Sequence, residues 1–339
     1  MSYQLLALGV AHRVSQLCKH HLCQHHTLFG SHHIHRLLSN FADRVHALFS
    51  GHILDYGIHH TTQQAHEFVL LSFHNPPEYI TVCITCIHCA TLQFMARILV
   101  VSDIHANKKA LDAVIADVGN WDALWCLGDI IGYGPEPVQC LRWVRDHCDI
   151  VLAGNHDVAA YDANQLARFN PNALAAATWT NAQLAPDDLD YLRTLPSLRE
   201  CEGVTLAHGS PADPPEGPIW SYILTVIDAG EAFDAFAGAL CFVGHSHVAC
   251  AYIESDTGKH RISGAPDSTL HVTDARYIVN PGSVGQPRDR NANAAYLLYD
   301  PETQHIMWRR VPYDREVTQE KMRALDFPAR LITRLDRGT

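Results

Sequence analysis

Five short stretches of this chain carry side chains suited to holding and activating something rather than to packing. Asp103-Ile104-His105 and His245-Ser246-His247 each place two donors at i and i+2. On an extended segment such residues project to one side, so both members of a pair would reach a single ion. Asp129 follows Gly128, and Asn155-His156-Asp157 follows Gly154, where a glycine permits a tight turn. His208-Gly209 completes the set. The donors are carboxylates, one amide and imidazoles, without thiolate. That mixture suits Mn²⁺, Fe, Ni²⁺, Co²⁺ or Zn²⁺ better than Ca²⁺ or Mg²⁺, which prefer all-oxygen shells. A single motif of this kind arises by chance, and a lone buried histidine is usually a hydrogen-bonded core residue. Five in this order point to metal-dependent chemistry. The chain has no G-x-S-x-G elbow that would supply a serine nucleophile instead.

The elements that must position these residues can be read around them. Ile98 to Val101 is a short β-branched run, as in a strand buried on both faces. Leu111, Val114, Ile115 and Val118 have helical spacing within Ala106 to Val118. Ala123 to Leu127 reads as a second strand, Pro137 to His147 as a second helix, and Ile150 to Ala153 as a third strand. Alternating strands and helices predict a mainly parallel sheet, whose ligands collect at the carboxyl ends of its strands. A helical stretch from Asp162 to Leu195, broken at Pro171 and Pro186, predicts an insertion over about residues 158–200. Strands resume at Val204 to Ala207 and at Leu240 to Val243. The runs Cys250 to Ile253, Arg276 to Val279, Ala294 to Tyr299 and His305 to Val311 are expected to form a second sheet. The fold class is therefore α/β, two sheets packed together with helices outside.

Composition divides the chain near Met95. Residues 1–94 hold 15 of the 24 histidines, with four Lys or Arg and four Asp or Glu, and show little usable periodicity. The net charge of −11 lies entirely beyond them, which argues against a nucleic-acid binder working by phosphate neutralisation. It leaves room for a phosphate substrate, because bound cations can supply the positive field locally. Residues 1–94 are read as a His/Cys-rich extension, with Met95 as the expected native start and a metal-holding tail as the rival. Cys83, Cys86 and Cys89 form a weak metal signal without a fourth ligand of matching spacing. Tyr79 to Ala96 lacks Asp, Glu, Lys and Arg, but His88, Gln93 and its threonines make it a poor membrane span. No secretory signal is evident, and eleven cysteines are too sparse for a disulfide scaffold. A cytoplasmic protein, without membrane partners and compatible with homo-oligomerisation, is expected.

Asp103-x-His105, Gly128-Asp129, Gly154-Asn155-His156-Asp157, His208-Gly209 and Gly244-His245-x-His247 resemble the five blocks of the calcineurin-like metallophosphoesterase superfamily. The resemblance covers residues 95–311 and implies the two-sheet α/β/β/α sandwich of that family. It implies two divalent ions, manganese first among them. One would be held by Asp103, His105, Asp129 and His247, the other by Asp129, Asn155, His208 and His245, with Asp129 bridging. Phosphate-ester hydrolysis by a metal-bridging hydroxide would follow, since ions about 3.5–4 Å apart activate a shared water and stabilise in-line displacement. His156 would stabilise the transition state or donate a proton, worth about 10²–10⁴-fold by analogy with general acids.

The second block departs from the protein-phosphatase pattern G-D-x-x-D-R, because Gly128-Asp129 is followed by Ile130-Ile131-Gly132-Tyr133. The carboxylate that would orient His156 and the arginine that would grip a phosphoprotein are missing. Asp157 is the substitute candidate for orienting His156, or it stabilises the turn. A small prokaryotic branch shares the Gly-Tyr-Gly turn and a segment like Asn280 to Arg288. There Gly282 and Gly285 would let backbone approach a phosphate, and Arg288 is a candidate clamp, with a surface role as its rival. A phosphodiester is favoured over a monoester because no basic pocket for a dianion is evident. The alternatives are a dinucleoside-polyphosphate or nucleotide hydrolase, with aromatic residues such as Phe169 stacking a base, and a non-catalytic metal-binding scaffold. Trp179, at helical spacing with Ala175 and Ala176, is expected to pack.

Overall fold

The computed structural model describes Tyr56–Gln63, His66–Phe73, Tyr79–Cys83 and residues 97–339 apart from 215–216. The chain divides into two compact units, Met1–Phe94 and Met95–Thr339. In the first, β1 (Tyr56–Gln63), β2 (His66–Phe73) and β3 (Tyr79–Cys83) form an antiparallel sheet in that order, which the absence of periodicity did not predict. Cys86, Cys89, the histidine pairs up to His33 and most of the weighed Tyr79 to Ala96 span lie outside the described residues. No helix among the described residues is long and apolar enough to cross a membrane.

The second unit opens with β4 (Ile98–Val101), α1 (Lys108–Val118), β5 (Ala123–Cys126), α2 (Pro137–His147) and β6 (Ile150–Val151). Asn107 caps α1 by accepting from Ala110 N at 3.2 Å, and Pro137 starts α2 where no intrahelical donor is needed. Three helices, α3 (Asn155–Val158), α4 (Ala163–Leu166) and α5 (Pro171–Asn181), are followed by α6 (Pro186–Arg193). The prolines that break the predicted stretch are the N1 residues of α5 and α6. Then come β7 (Leu198–Cys201), β8 (Val204–Ala207), α7 (Val226–Phe233), β9 (Leu240–Phe242), β10 (Cys250–Ser255), β11 (Gly258–Ser263), β12 (Thr269–His271) and β13 (Arg276–Asn280). The chain closes with β14 (Ala294–Asp300), β15 (His305–Val311), α8 (Arg315–Ala324) and α9 (Ala329–Arg337).

Two six-stranded sheets result, ordered β12-β15-β14-β4-β5-β6 and β11-β10-β13-β9-β8-β7. Each has a parallel part: β4-β5-β6 reaches one edge of the first sheet, and β8-β9-β13 lies between antiparallel neighbours in the second. The late strands therefore do not make a sheet of their own. Strand β14 pairs with β4, Leu298 opposite Leu99, while β13 pairs with β9, Ile278 opposite Cys241. Apolar runs show that a strand is buried, but its bonding neighbour is set by long-range pairing.

Strand alternation then explains the layers. Ile98, Val100, Trp125 and Leu127 face Leu206, Phe242 and Val279 between the sheets. Leu99, Val101, Leu124 and Cys126 face outward to Leu111, Val114, Leu141 and Val144 of α1 and α2. Cys241, Val243 and Ile278 meet Ala229, Ala232 and Phe233 of α7. The fold is a two-sheet α/β/β/α sandwich. Residues of α5, α8 and α9 bury a further cluster with Tyr133, Phe327, Phe169 and Trp179. Trp179 meets Phe327 edge-on at 4.9 Å, so it packs.

Candidate metal centre

All five motifs leave the carboxyl ends of parallel strands: β4, β5, β6, β8 and β9. The loops are knitted together by backbone. Asp103 N donates to Gly128 O at 3.0 Å, His105 N to Asp129 O at 2.9 Å and Gly244 N to His208 O at 2.9 Å. The paired residues do not share an ion through extended geometry, as the i, i+2 spacing suggested. Asp103, His105, Asp129, His245 and His247 have φ of 55°, 48°, 51°, 63° and 59°, in the left-handed region that non-glycine residues seldom occupy. Such conformations persist only where surrounding contacts over-determine them. Here the interloop hydrogen bonds do so, and the backbone turn rather than the pleat directs the side chains. Gly154 is required for another reason: a Cβ there would lie 2.1 Å from Asp129 Oδ1.

The donors gather into two groups sharing Asp129: Asp103, His105, Asp129 and His247, then Asp129, His208 and His245. His247 Nε2 is 3.1 Å from Asp103 Oδ1, and His105 Nε2 is 3.6 Å from Asp129 Oδ2. His208 Nε2 lies 3.3 Å from the same Asp129 oxygen. The other ring nitrogens are committed. Nδ1 of His105 faces Ile131 O at 3.2 Å, that of His208 faces Leu127 O at 2.8 Å, and that of His247 faces Gln286 O at 2.6 Å. A carbonyl can only accept, so each Nδ1 carries a hydrogen, and in its neutral form each ring turns an Nε2 lone pair into the centre. His105 and His247 Nε2 consequently face each other at 3.0 Å. Asp103 Oδ1, Asn155 Oδ1, His208 Nε2 and His245 Nε2 are buried without hydrogen-bond partners. Buried polar atoms left this way are costly, and divalent cations satisfy all of them. The residues present fit a pair of metal ions.

Electrostatics agree. Burial opposes ionisation of Asp103, but His247 and His208 hold its carboxyl below the usual range. The same balance, with His208 and His156 as the opposing charges, lowers Asp129. Burial pushes the imidazoles of His105 and His247 down, and that of His245 to about 3. His208 alone goes up, to about 9, because Asp129 outweighs its burial. Anionic carboxylates among largely neutral imidazoles are what a cation needs.

His156 lies beside the first group, its ring 4.3 Å from Tyr133, 4.5 Å from Phe169 and 4.9 Å from His105. Its N–H donates to Asp129 Oδ1 at 2.8 Å, while its Nδ1 is buried and unpartnered. Burial lowers it to about 4, although Asp129 pulls the other way. Asp157 does not touch that ring nitrogen. Its carboxylate accepts from Gly154 N at 2.9 Å, Ile130 N at 3.0 Å and Ile131 N at 3.2 Å, pinning the Asp129 loop to the Asn155 turn. Burial and the charge of Asp129 raise it to about 7. Gly282 and Gly285 do not present amides to a phosphate. Their N–H groups go to Asn280 Oδ1 at 2.8 Å and Asp103 O at 3.0 Å, and Gly285 packs on the Ile104 carbonyl. Arg288 is half-buried beside Tyr133 rather than on the open surface.

Sequence reasoning missed three residues here. Tyr222 stacks on His245 at 3.9 Å, and buried Trp220 meets His208 at 5.6 Å while donating to Gln165 Oε1 at 3.2 Å. Arg334 of α9 shares Gln286 Oε1 with Arg288. Only the aromatic pair Trp220 and Tyr222, close after His208, offered a sequence signal.

Residues 96–304 match the family model described as the calcineurin-like phosphoesterase superfamily domain. The chain belongs to that superfamily. An uncharacterized protein of Methanocaldococcus jannaschii is 35% identical over 252 residues, covering 72% of this chain and 98% of that protein. A metallophosphoesterase from Sphaerobacter thermophilus, of known crystal structure, is 40% identical with a TM-score of 0.65, covering 72% of this chain and 99% of its own. The symmetrical bis(5'-nucleosyl)-tetraphosphatase of Methylobacillus flagellatus is 33% identical, but over 26% of this chain and 32% of that protein. This phosphoesterase is thus a hydrolase of phosphoric esters, and its Asp/His groups are residues that could hold the divalent metals the family uses.

Proposed function

We propose that this phosphoesterase hydrolyses a small phosphate ester with two divalent cations, manganese first among them. Asp103, His105, Asp129 and His247 would hold one cation, and Asp129, Asn155, His208 and His245 the other. The observation that carries this reading is the pair of buried donor groups meeting at Asp129. When bound, such cations activate water and neutralise phosphoryl oxygens. The protein's own part is positional. Backbone carbonyls hold the histidine rings with their lone pairs inward, and Asp157 locks the Asp129 and Asn155 loops together. Tyr133 and Phe169 pack against His156, whose buried Nδ1 lies against Gly132, leaving Nε2 as the ring atom that would contact the ester or its leaving group. Seven intact donors weigh against a non-catalytic scaffold.

The sequence ground for preferring a diester, the want of a basic pocket, falls with Arg334 beside Arg288. A nucleotide polyphosphate is the second reading, supported by this arginine pair and by the partial similarity to symmetrical bis(5'-nucleosyl)-tetraphosphatases. The test is turnover of bis-p-nitrophenyl phosphate and p-nitrophenyl phosphate by the full chain, metal-free and with Mn²⁺. Metal-dependent turnover supports hydrolysis and ranks the esters. A folded, metal-loaded chain that cleaves neither these nor a dinucleoside polyphosphate would leave the scaffold. Removing residues 1–94 is expected to preserve turnover, and its complete loss from a folded product would refute activity residing in Met95–Thr339.

A further inference from the structure

Two arginines stand beside the first donor group, and the hydrolytic step as described makes no use of them. Arg288 arrives on the loop after β13. Its N–H donates to His247 O at 3.1 Å, and its guanidinium carbon lies 5.8 Å from the centre of the Tyr133 ring. That ring is 4.7 Å from His105 and 4.3 Å from His156. Arg334 comes from α9, far along the chain. Leu331, Ile332 and Leu335 seat that helix against Tyr133 and Met322, Gln319 Nε2 donates to Ile332 O at 2.9 Å, and Arg290 N donates to Gly338 O at 2.7 Å.

Both guanidinium groups donate to one neutral atom, Gln286 Oε1: Nη2 of Arg288 at 3.0 Å and Nη1 of Arg334 at 3.0 Å. Arg334 Nε donates to Thr339 O at 2.6 Å, while Arg288 Nε is buried without a partner. Neighbouring arginines are treated differently: Arg310 has Asp289 and Arg323 has Glu316. Among the described residues, no Asp or Glu side chain pairs with Arg288 or Arg334. Burial, then the charge of Arg288, pushes Arg334 down to about 10. Two cations sharing one carbonyl oxygen repel each other, and an anion with several oxygens relieves that repulsion. Guanidinium forks match phosphate oxygens in pairs, with stronger hydrogen bonds than neutral donors make.

We propose that Arg288 and Arg334 form a second anion subsite beside the metal centre, which binds a phosphoryl group other than the one attacked. The preferred substrate class is then a compound with two neighbouring phosphoryl groups, a phosphoanhydride such as a nucleoside diphosphate or polyphosphate. This rests on the hydrolytic reading only in saying which phosphoryl group is cleaved. Titration calorimetry of the Mn²⁺-loaded full chain with methylenediphosphonate and with methylphosphonate tests it without turnover. The wild-type chain is expected to prefer the diphosphonate by about tenfold or more, and Arg334→Gln and Arg288→Gln each to lose most of that ratio. Arg334→Lys, which keeps the charge but not the fork, should fall between. Should Arg334→Gln fail to fold by its melting curve, Arg288→Gln reads the same ratio. Equal wild-type affinities, or ratios unchanged within roughly twofold in the folded variants, would overturn the subsite. Absence of turnover would count against hydrolysis, and not against this binding ratio.

Discussion

His247 and His245 stand two residues apart on one loop, but different parts of the molecule hold their rings. His247 gives its Nδ1 hydrogen to the carbonyl of buried Gln286 at 2.6 Å, and His105 beside it uses the Ile131 carbonyl. Tyr133 and His156 pack against this inner half, under the cluster formed by α5, α8 and α9. In the outer half His208 is fixed by the Leu127 carbonyl, whereas His245 stacks on Tyr222, a residue 46% exposed on the 209–225 loop. A hydrogen bond from Nδ1 to a buried carbonyl fixes both tautomer and ring angle, while a stacked ring fixes only the plane. The inner donors should therefore be the better organised, and the outer cation the more readily lost.

The largest effect should come from the residue common to both halves. Asp129→Asn is expected to lower kcat about 10³-fold, at the upper end for one electrostatic contributor, and to lower bound Mn²⁺ measured by elemental analysis. Next, His247→Ala and His245→Ala separate the halves. The first should abolish the tight Mn²⁺ binding step and the second only the weaker one, so equal losses in titration calorimetry would erase the distinction. Asp157→Asn should follow, because an amide cannot accept from all three backbone N–H groups. An unsatisfied buried donor costs about 1–3 kcal/mol, to be seen as a lowered melting temperature, with kcat/KM falling while the Mn²⁺ stoichiometry stays the same. Tyr222→Ala should do least, removing an aromatic contact worth about 0.5–1.5 kcal/mol. It should weaken the second Mn²⁺ step less than about tenfold and leave the first alone. A change in the first step would show that the outer loop braces the whole centre.

Local patterns were legible wherever a residue's neighbours in sequence are also its neighbours in space. The α2 and β15 limits, the breaks at Pro171 and Pro186, and the ligand motifs behind β4, β5, β6, β8 and β9 all follow from short-range features. Strands β7, β11 and β12 are short or largely solvent-facing, so they carry little apolar signal. Helix α9 was readable in principle, since Leu331, Ile332 and Leu335 have helical spacing and Gly338 ends it in a left-handed turn. That Arg334 would face Gln286 was not, because it depends on α9 docking beside the 286–290 loop.

The sequence by itself determined which atoms this protein offers: carboxylate, amide and imidazole donors without thiolate, in five motifs at strand ends, and an α/β framework to carry them. Tertiary structure decided which late strand joins which sheet, that the donors meet through left-handed turns rather than pleated strands, and that one arginine from the loop after β13 and one from α9 share one glutamine. The reason is physical. Periodicity and side-chain chemistry are local properties of the chain, whereas sheet partners, burial and like charges held together come from contacts between residues far apart in it.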